Sequence, residues 1–116
     1  MRIVRLYSGS DGKSHFEDID FPTGPDGLMV RQTLLPVKAP MLAEFFEANN
    51  RWQNAPRRQY VVSLRGQKEI EAGDGTKRLF VPGDILLAED LNSTGHIVRT
   101  VGPRGTSAML SLPLAD

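Results

Sequence analysis

Residues 59–90 read "QYVVSLRGQKEIEAGDGTKRLFVPGDILLAED". "QYVVSL" is β-branched and aromatic, "QKEIEA" alternates around Ile70, and "TKRLFV" follows the tight turn Gly73, Asp74, Gly75. Two alternating runs joined by Gly-Asp-Gly predict a β-hairpin, because glycine takes the backbone angles that such turns need. "VPGD" then supplies a second turn into the apolar run that ends at Asp90.

The pattern extends in both directions. "RIVRLY" (2–7) reads as a first strand, closed by the turn cluster 8–13. "HFEDIDF" (15–21) reads as an edge strand with untidy alternation: His15, Glu17, Ile19 and Phe21 share one face, while Phe16, Asp18 and Asp20 share the other. "PTGPDG" is loop, and "LMVRQTLLPV" (28–37) is a strand ended by Pro36. "MLAEFFEANNRW" (41–52) is ambiguous, since Met41, Leu42, Phe45 and Phe46 match helical spacing and the segment also suits a half-buried strand. The all-strand surroundings favour strand. "HIVRTVG" (96–102) and "SAMLSLPL" (107–114) complete the set. So many short strands punctuated by turns predict an all-β single domain over 1–116, and a jelly roll is the natural way to hide their edges.

Composition narrows the function classes. The chain has 116 residues, with Lys+Arg 14 against Asp+Glu 14, so no global field exists to hold a polyanion; nucleic acid is not an expected partner. No run reaches the length of roughly 20 apolar residues that spans a bilayer, and the amino terminus lacks the apolar core of a signal peptide. No membrane association is expected. The chain has no cysteine, which removes disulfides, thiolate nucleophiles and Cys-based zinc sites and fits a cytoplasmic location.

"QYVVSLRG", "KEIEAGDGTKRLFVPGDILLAED" and the "GH" at 95–96 together resemble the two motifs of the cupins and the loop between them. Cupins are small jelly-roll barrels of the double-stranded β-helix type. The likeness covers about residues 52–101, and "NAPRRQYVV" with "GDGTKRLFVPGDILLAED" is similar to a subgroup of small bacterial cupin proteins. The first cupin motif carries two histidines separated by one residue, a glutamate four residues after the second, and a glycine seven residues beyond. Counted back from Gly66, the glutamate position is Gln59 and the histidine positions are Gln53 and Ala55. The second motif's histidine falls to His96, two residues later after Gly83 than the pattern has it. A barrel position that holds metal in the family thus carries one imidazole and two neutral amides, and amide oxygens bind transition ions poorly.

The resemblance implies that Gln53 and Ala55, then Gln59, Val61 and Ser63, then His96, Val98 and Thr100, point into the barrel, since alternate residues share a strand face. A slip of one residue would instead turn Gln59 outward and Tyr60 inward. An apolar cup with a few convergent polar groups is the usual form of a small-molecule pocket. Trp52 is read either as closing its mouth by stacking on a ring or as a packed core residue. Adjacent strand residues face opposite ways, so only one of Arg57 and Arg58 can enter the cup; Arg57 is the candidate for gripping an anion. Asp84 is read as a turn residue, and His15 as structural or solvent-facing. Glu69, Glu71, Glu89 and Asp90 are placed on exposed faces or loops, so no acid and base pair is named. No serine lies in a hydrolase motif, and "GDGTK" is a turn between strands, not a phosphate cradle.

The expected function is binding of a small polar or carboxylate-bearing molecule by a cupin homodimer, with metal absent or weakly held. In many cupins the terminal strands pair across the dimer, which singles out "RIVRLY" and "SAMLSLPL" here. The rival is a divalent-metal-dependent oxygenase, isomerase or lyase using His96, Gln59 and Gln53, completed by His15 or Glu47. A third expectation is a structural or regulatory dimer with a closed core.

Overall fold

β-Branched and aromatic runs separated by glycine and proline turns fold into nine strands in the computed structural model, which describes residues 2–20, 34–45, 51–102 and 107–116. They are β1 (Ile3–Ser8), β2 (Ser14–Ile19), β3 (Met41–Phe45), β4 (Gln59–Arg65), β5 (Gln67–Glu71), β6 (Lys77–Phe80), β7 (Ile85–Glu89), β8 (Ile97–Val101) and β9 (Ser107–Pro113). The protein is all-β, a two-sheet jelly-roll architecture. One sheet has the order β2-β1-β7-β4-β9-β3 and the other β6-β5-β8. All pairings are antiparallel except β1 with β7, which sets Val4 opposite Leu86 and Leu6 opposite Ala88.

The hairpin expected from Gly73-Asp74-Gly75 joins β5 to β6, with the Ala72 N–H donating to the Thr76 carbonyl at 2.8 Å. The Pro-Gly-Asp turn is fastened by the buried Asp84 carboxylate, which accepts from the N–H of Val81 at 3.0 Å and of Arg2 at 3.2 Å. Arg2 Nη2 donates to it as well, at 3.1 Å, so the residue ties the entry of β1 to the turn before β7. Burial pushes this carboxyl up, but the N–H groups and the Arg2 guanidinium outweigh it and hold Asp84 below the usual aspartate value.

The core lies between the sheets. Val4, Leu6, Val61, Leu86 and Ala88 of the larger sheet meet Ile70 and Phe80 of the smaller one, with Phe16, Val98 and Met109 packed against them. The opposite faces of β4 and β7 carry Tyr60 and Leu87 into a second cluster, with Leu34, Leu112 and Leu114, on the outside of the larger sheet. Tyr60 also accepts a hydrogen bond from Leu35 N–H at 3.1 Å. Tyr60 therefore faces outward and Gln59 inward, the register that the cup requires.

Some expectations change. β2 is an edge strand, but its inward residues are Ser14 and Phe16, the latter packing on Phe80 with ring centroids 6.4 Å apart. Segment 41–52 is strand only over Met41–Phe45; of the strand expected at 28–37, residues 28–33 lie outside the described residues, and Val37 makes a single bridge to Leu114. The terminal strands β1 and β9 lie inside the larger sheet. β1 is flanked by β2 and β7, and β9 by β4 and β3, so both edges of each are hydrogen-bonded within the chain. Among the described residues no helix is long and apolar enough to cross a membrane.

Candidate functional site

Alternation on five strands leaves a cavity of about 360 Å³ between the sheets. Gln59 and Val61 of β4, Leu86 and Ala88 of β7, and Met109 of β9 form one wall. Lys68 and Ile70 of β5, with Val98 of β8, form the other, and Gln53, Asn54, Ala55, Pro56 and His96 close one end. Gln53, Asn54 and Pro56 are exposed, so that end is the mouth.

The mouth is built by a close backbone approach. Gln53 N–H donates to the His96 carbonyl at 3.1 Å, and His96 N–H donates to the Gln53 carbonyl at 3.0 Å. Gly95, with φ +79°, precedes His96; a Cβ there would lie 2.3 Å from the Gln53 carbonyl carbon and oxygen. Only glycine permits both the backbone angle and the approach. The buried Ser14 hydroxyl donates to the Gly95 carbonyl at 2.7 Å and accepts from Gly73 N–H at 2.7 Å, which locks the His96 segment to the β5–β6 turn.

His96 is nearly buried, and its Nδ1 lies 2.5 Å from Asp90 Oδ2. Asp90 is fully buried, contrary to its expected place on an exposed loop. The reason is that the Asp90 carbonyl accepts from Ala55 N–H at 3.1 Å, which draws the end of β7 under the mouth. The contact with Asp90 is made at Nδ1, so Nε2 is the ring nitrogen left to serve an occupant. Glu89 is also less exposed than expected, because Arg5 Nε donates to it at 2.6 Å and Arg58 Nε at 2.8 Å.

Sequence reasoning missed the apolar wall residues Ile70, Leu86, Ala88 and Met109, and with them the one charged wall residue among those described, Lys68. It is 4% exposed, shares the inward face of β5 with Ile70, and its Nζ lies 3.7 Å from Met109 Sδ. Burial pushes its ammonium down to about 8. The signal was present in the alternation, which puts positions 68 and 70 on one face, but a lysine is ordinarily assigned outward. Gln59 is buried in the opposite wall, and its Oε1 has no hydrogen-bond partner among the described residues.

The structure thus brings Gln53, Gln59, Val61, His96 and Val98 to one cavity, together with Ala55. It does not bring in Ser63, Trp52 or Arg57. Ser63 is buried but off the cavity wall, where its backbone pairs with the Gly83–Asp84 turn. Trp52 is neither core nor mouth: 47% exposed, it borders a shallow depression with Lys13, Gly73 and Thr94. Arg57 lies on the outside near Lys38, Arg58 and Asp116. His15 is half-buried between Asp11 and Asp74, with Nε2 2.9 Å from Asp11 and Nδ1 3.0 Å from Asp74, away from the cavity wall. Glu47 lies outside the described residues. Among the described residues, no group of three or more His, Asp or Glu side chains is placed to hold a metal ion.

These features define an all-β, two-sheet protein with a cup that opens between its sheets. No protein-family model matches the chain, and no curated protein matches it.

Proposed function

We propose that the chain is a cupin-type binding protein whose cup takes a small carboxylate-bearing molecule without needing a metal. The observation that carries this reading is the presence, in the walls of one mostly apolar cavity, of the buried Lys68 ammonium and of Gln59 Oε1, which has no partner among the described residues. A buried cation favours an anion in its vicinity, and a buried acceptor without a donor costs about 1–3 kcal/mol until a ligand O–H or N–H supplies one. A small hydroxy or amino acid offers both. His96, held at Nδ1 by Asp90, and Gln53 add polar groups at the mouth. The donor set does not suit a transition ion: one imidazole and two amides are a poor ligand group, and an ammonium in the same cup repels a divalent cation.

The test is calorimetry with small aliphatic and aromatic carboxylic acids beside their neutral amides. The acids should bind and the amides should not, and Lys68→Met should weaken acid binding by at least about tenfold, or ~1.4 kcal/mol. Equal binding of acids and amides, or acid binding untouched in the variant, would remove the proposal.

One observation favours a second reading, a metal-dependent enzyme. A carboxylate on one ring nitrogen, as Asp90 on His96, is the arrangement that orients metal-ligating histidines. Mass spectrometry after exposure to iron, manganese, nickel, copper and zinc separates the two. Near-stoichiometric metal that disappears in His96→Ala favours the enzyme; no retained metal in either protein favours the metal-free cup.

A further inference from the structure

We propose that Lys68 captures a small aldehyde or ketone in the cup as an imine, with His96 as the proton donor and acceptor. The inference goes beyond reversible binding but rests on the cavity being a ligand site. Four observations carry it. Lys68 is the sole lysine of the four in the sequence that is buried, since Lys13, Lys38 and Lys77 are exposed. It lies in a cavity wall that is otherwise largely apolar, and the cavity reaches solvent at Gln53. His96, whose Nδ1 is held by Asp90, lines the same cavity and keeps Nε2 for proton transfer. Gln59 Oε1, without a partner among the described residues, is an acceptor for the hydroxyl that carbonyl addition creates.

The chemistry balances without an oxidant or reductant. The lone pair of the neutral Lys68 amine attacks the carbonyl carbon, forming a C–N bond while the C=O π pair moves to oxygen. That oxygen takes up a proton and the nitrogen gives one up, yielding a carbinolamine whose O–H suits Gln59. His96, having taken up at Nε2 the proton that the nitrogen gave up, donates it to the hydroxyl; the C–O bond breaks, water leaves, and the nitrogen lone pair closes the C=N bond. The iminium N–H then passes its proton to His96 Nε2 and on to solvent, replacing the one the oxygen took up. Amine and carbonyl give imine and water. A lysine becomes an effective nucleophile when desolvation keeps part of it neutral near pH 7, which is the condition that burial creates at Lys68. A carbonyl compound that also bears a carboxylate, a 2-oxo acid, meets both the addition chemistry and the charge preference of the cup.

The experiment uses the full chain with pyruvate as the carbonyl probe and lactate as its counterpart without a carbonyl. Binding of each is followed by ligand-observed NMR, and the pyruvate sample is reduced with cyanoborohydride before peptide mass spectrometry. The reduced condensate should accumulate on the Lys68 peptide at least about tenfold faster than on those bearing Lys13, Lys38 or Lys77, which serve as controls in the same molecule. Its rate should level off above about pH 8, while that of the exposed lysines continues to climb. His96→Asn should slow trapping at Lys68 and leave the exposed lysines unchanged. If both probes bind but Lys68 is trapped no faster than the exposed lysines, the imine inference fails and the binding site stands. If neither probe binds and no Lys68 adduct forms, both fail for this ligand class. Unchanged trapping in His96→Asn overturns the role given to His96.

Discussion

Replacing Lys68 with methionine should stabilise the protein while removing its ligand preference. Methionine has nearly the length and shape of lysine without the charge, and the Nζ of Lys68 already lies against the Met109 sulfur. Burial moves the ammonium from the ordinary 10.5 to about 8, which corresponds to about 3 kcal/mol of folding free energy lost in the charged state. The unfolded chain binds the proton more tightly than the folded one. Stability of the native protein therefore rises with pH between about 8 and 10.5, and the full cost is present below about 8. Lys68→Met should be more stable by up to about 3 kcal/mol at about pH 6.5, and the gain should shrink to under about 1 kcal/mol at about pH 10. Urea unfolding at the two pH values, with slopes compared to confirm that the same surface is exposed, measures both differences. A variant no more stable than the native protein at the lower pH, or a gain that does not depend on pH, would refute a buried ammonium at position 68. The same substitution should abolish imine trapping, so stability and function would move in opposite directions.

Three other perturbations have defined outcomes. Gly95→Ala should lose at least about 2 kcal/mol, because backbone strain is joined by a collision with the Gln53 carbonyl; Gly83→Ala, at φ +94° with open space around its Cβ, should lose only the strain, and chemical denaturation of the pair isolates the collision. His15 is held above the ordinary histidine value by its hydrogen bond to Asp11, and to a lesser degree by Asp74. Its contribution is fully present below about pH 6.5 and disappears as pH rises through the folded-state value, so His15→Gln should lower Tm at about pH 5.5 and leave it nearly unchanged at about pH 9. Glu89 is pushed up by burial but held below the usual glutamate value by Arg5 and Arg58, so Glu89→Gln should cost about 1–2 kcal/mol at neutral pH, with the difference closing as pH falls below about 4.5 in acid titrations followed by circular dichroism.

How much of this was legible follows the physics of each segment. The β5–β6 hairpin was readable because Gly73-Asp74-Gly75 and the alternation around Ile70 agree, so local turn chemistry and burial point the same way. The inward register of Gln59 and Val61 was legible only through the motif resemblance, because "QYVVSL" is apolar on both faces and alternation alone leaves a one-residue slip open; Tyr60 is placed outward by its own cluster. What escaped depended on contacts distant in the chain. Asp90 looks like a loop residue until Ala55 and His96 are brought to it, and Arg57 looks like a pocket residue until β4 is seen to begin at Gln59. Lys68 was hidden by a different rule: side-chain parity put it inward, and the average behaviour of lysine put it outward.

Under the proposed cupin-type reading, that conflict bears on why positions 53, 55 and 59 hold Gln, Ala and Gln where that reading would put metal ligands. Three histidines and a carboxylate make sense around a divalent cation, which supplies the positive charge that binds and polarises an anionic or carbonyl substrate. Lys68 supplies positive charge to the same interior, at a cost in stability that a metal would not impose, and a divalent ion beside it would be repelled. Under the proposed reading, amides at positions 53 and 59 are then the economical choice: they add hydrogen-bonding capacity without ionisable groups that would compete for the ammonium. The substitution that separates the two designs is Lys68→Met combined with Gln53→His and Gln59→Glu. Removing the ammonium and restoring two ligand types beside His96 should raise zinc affinity above that of the native protein by well over about tenfold, read by competition with a chromogenic chelator. The same two ligands introduced with Lys68 retained should gain much less, because the ammonium continues to oppose the ion. Equal gains in both backgrounds would show that Lys68 does not set the electrostatic character of the cup.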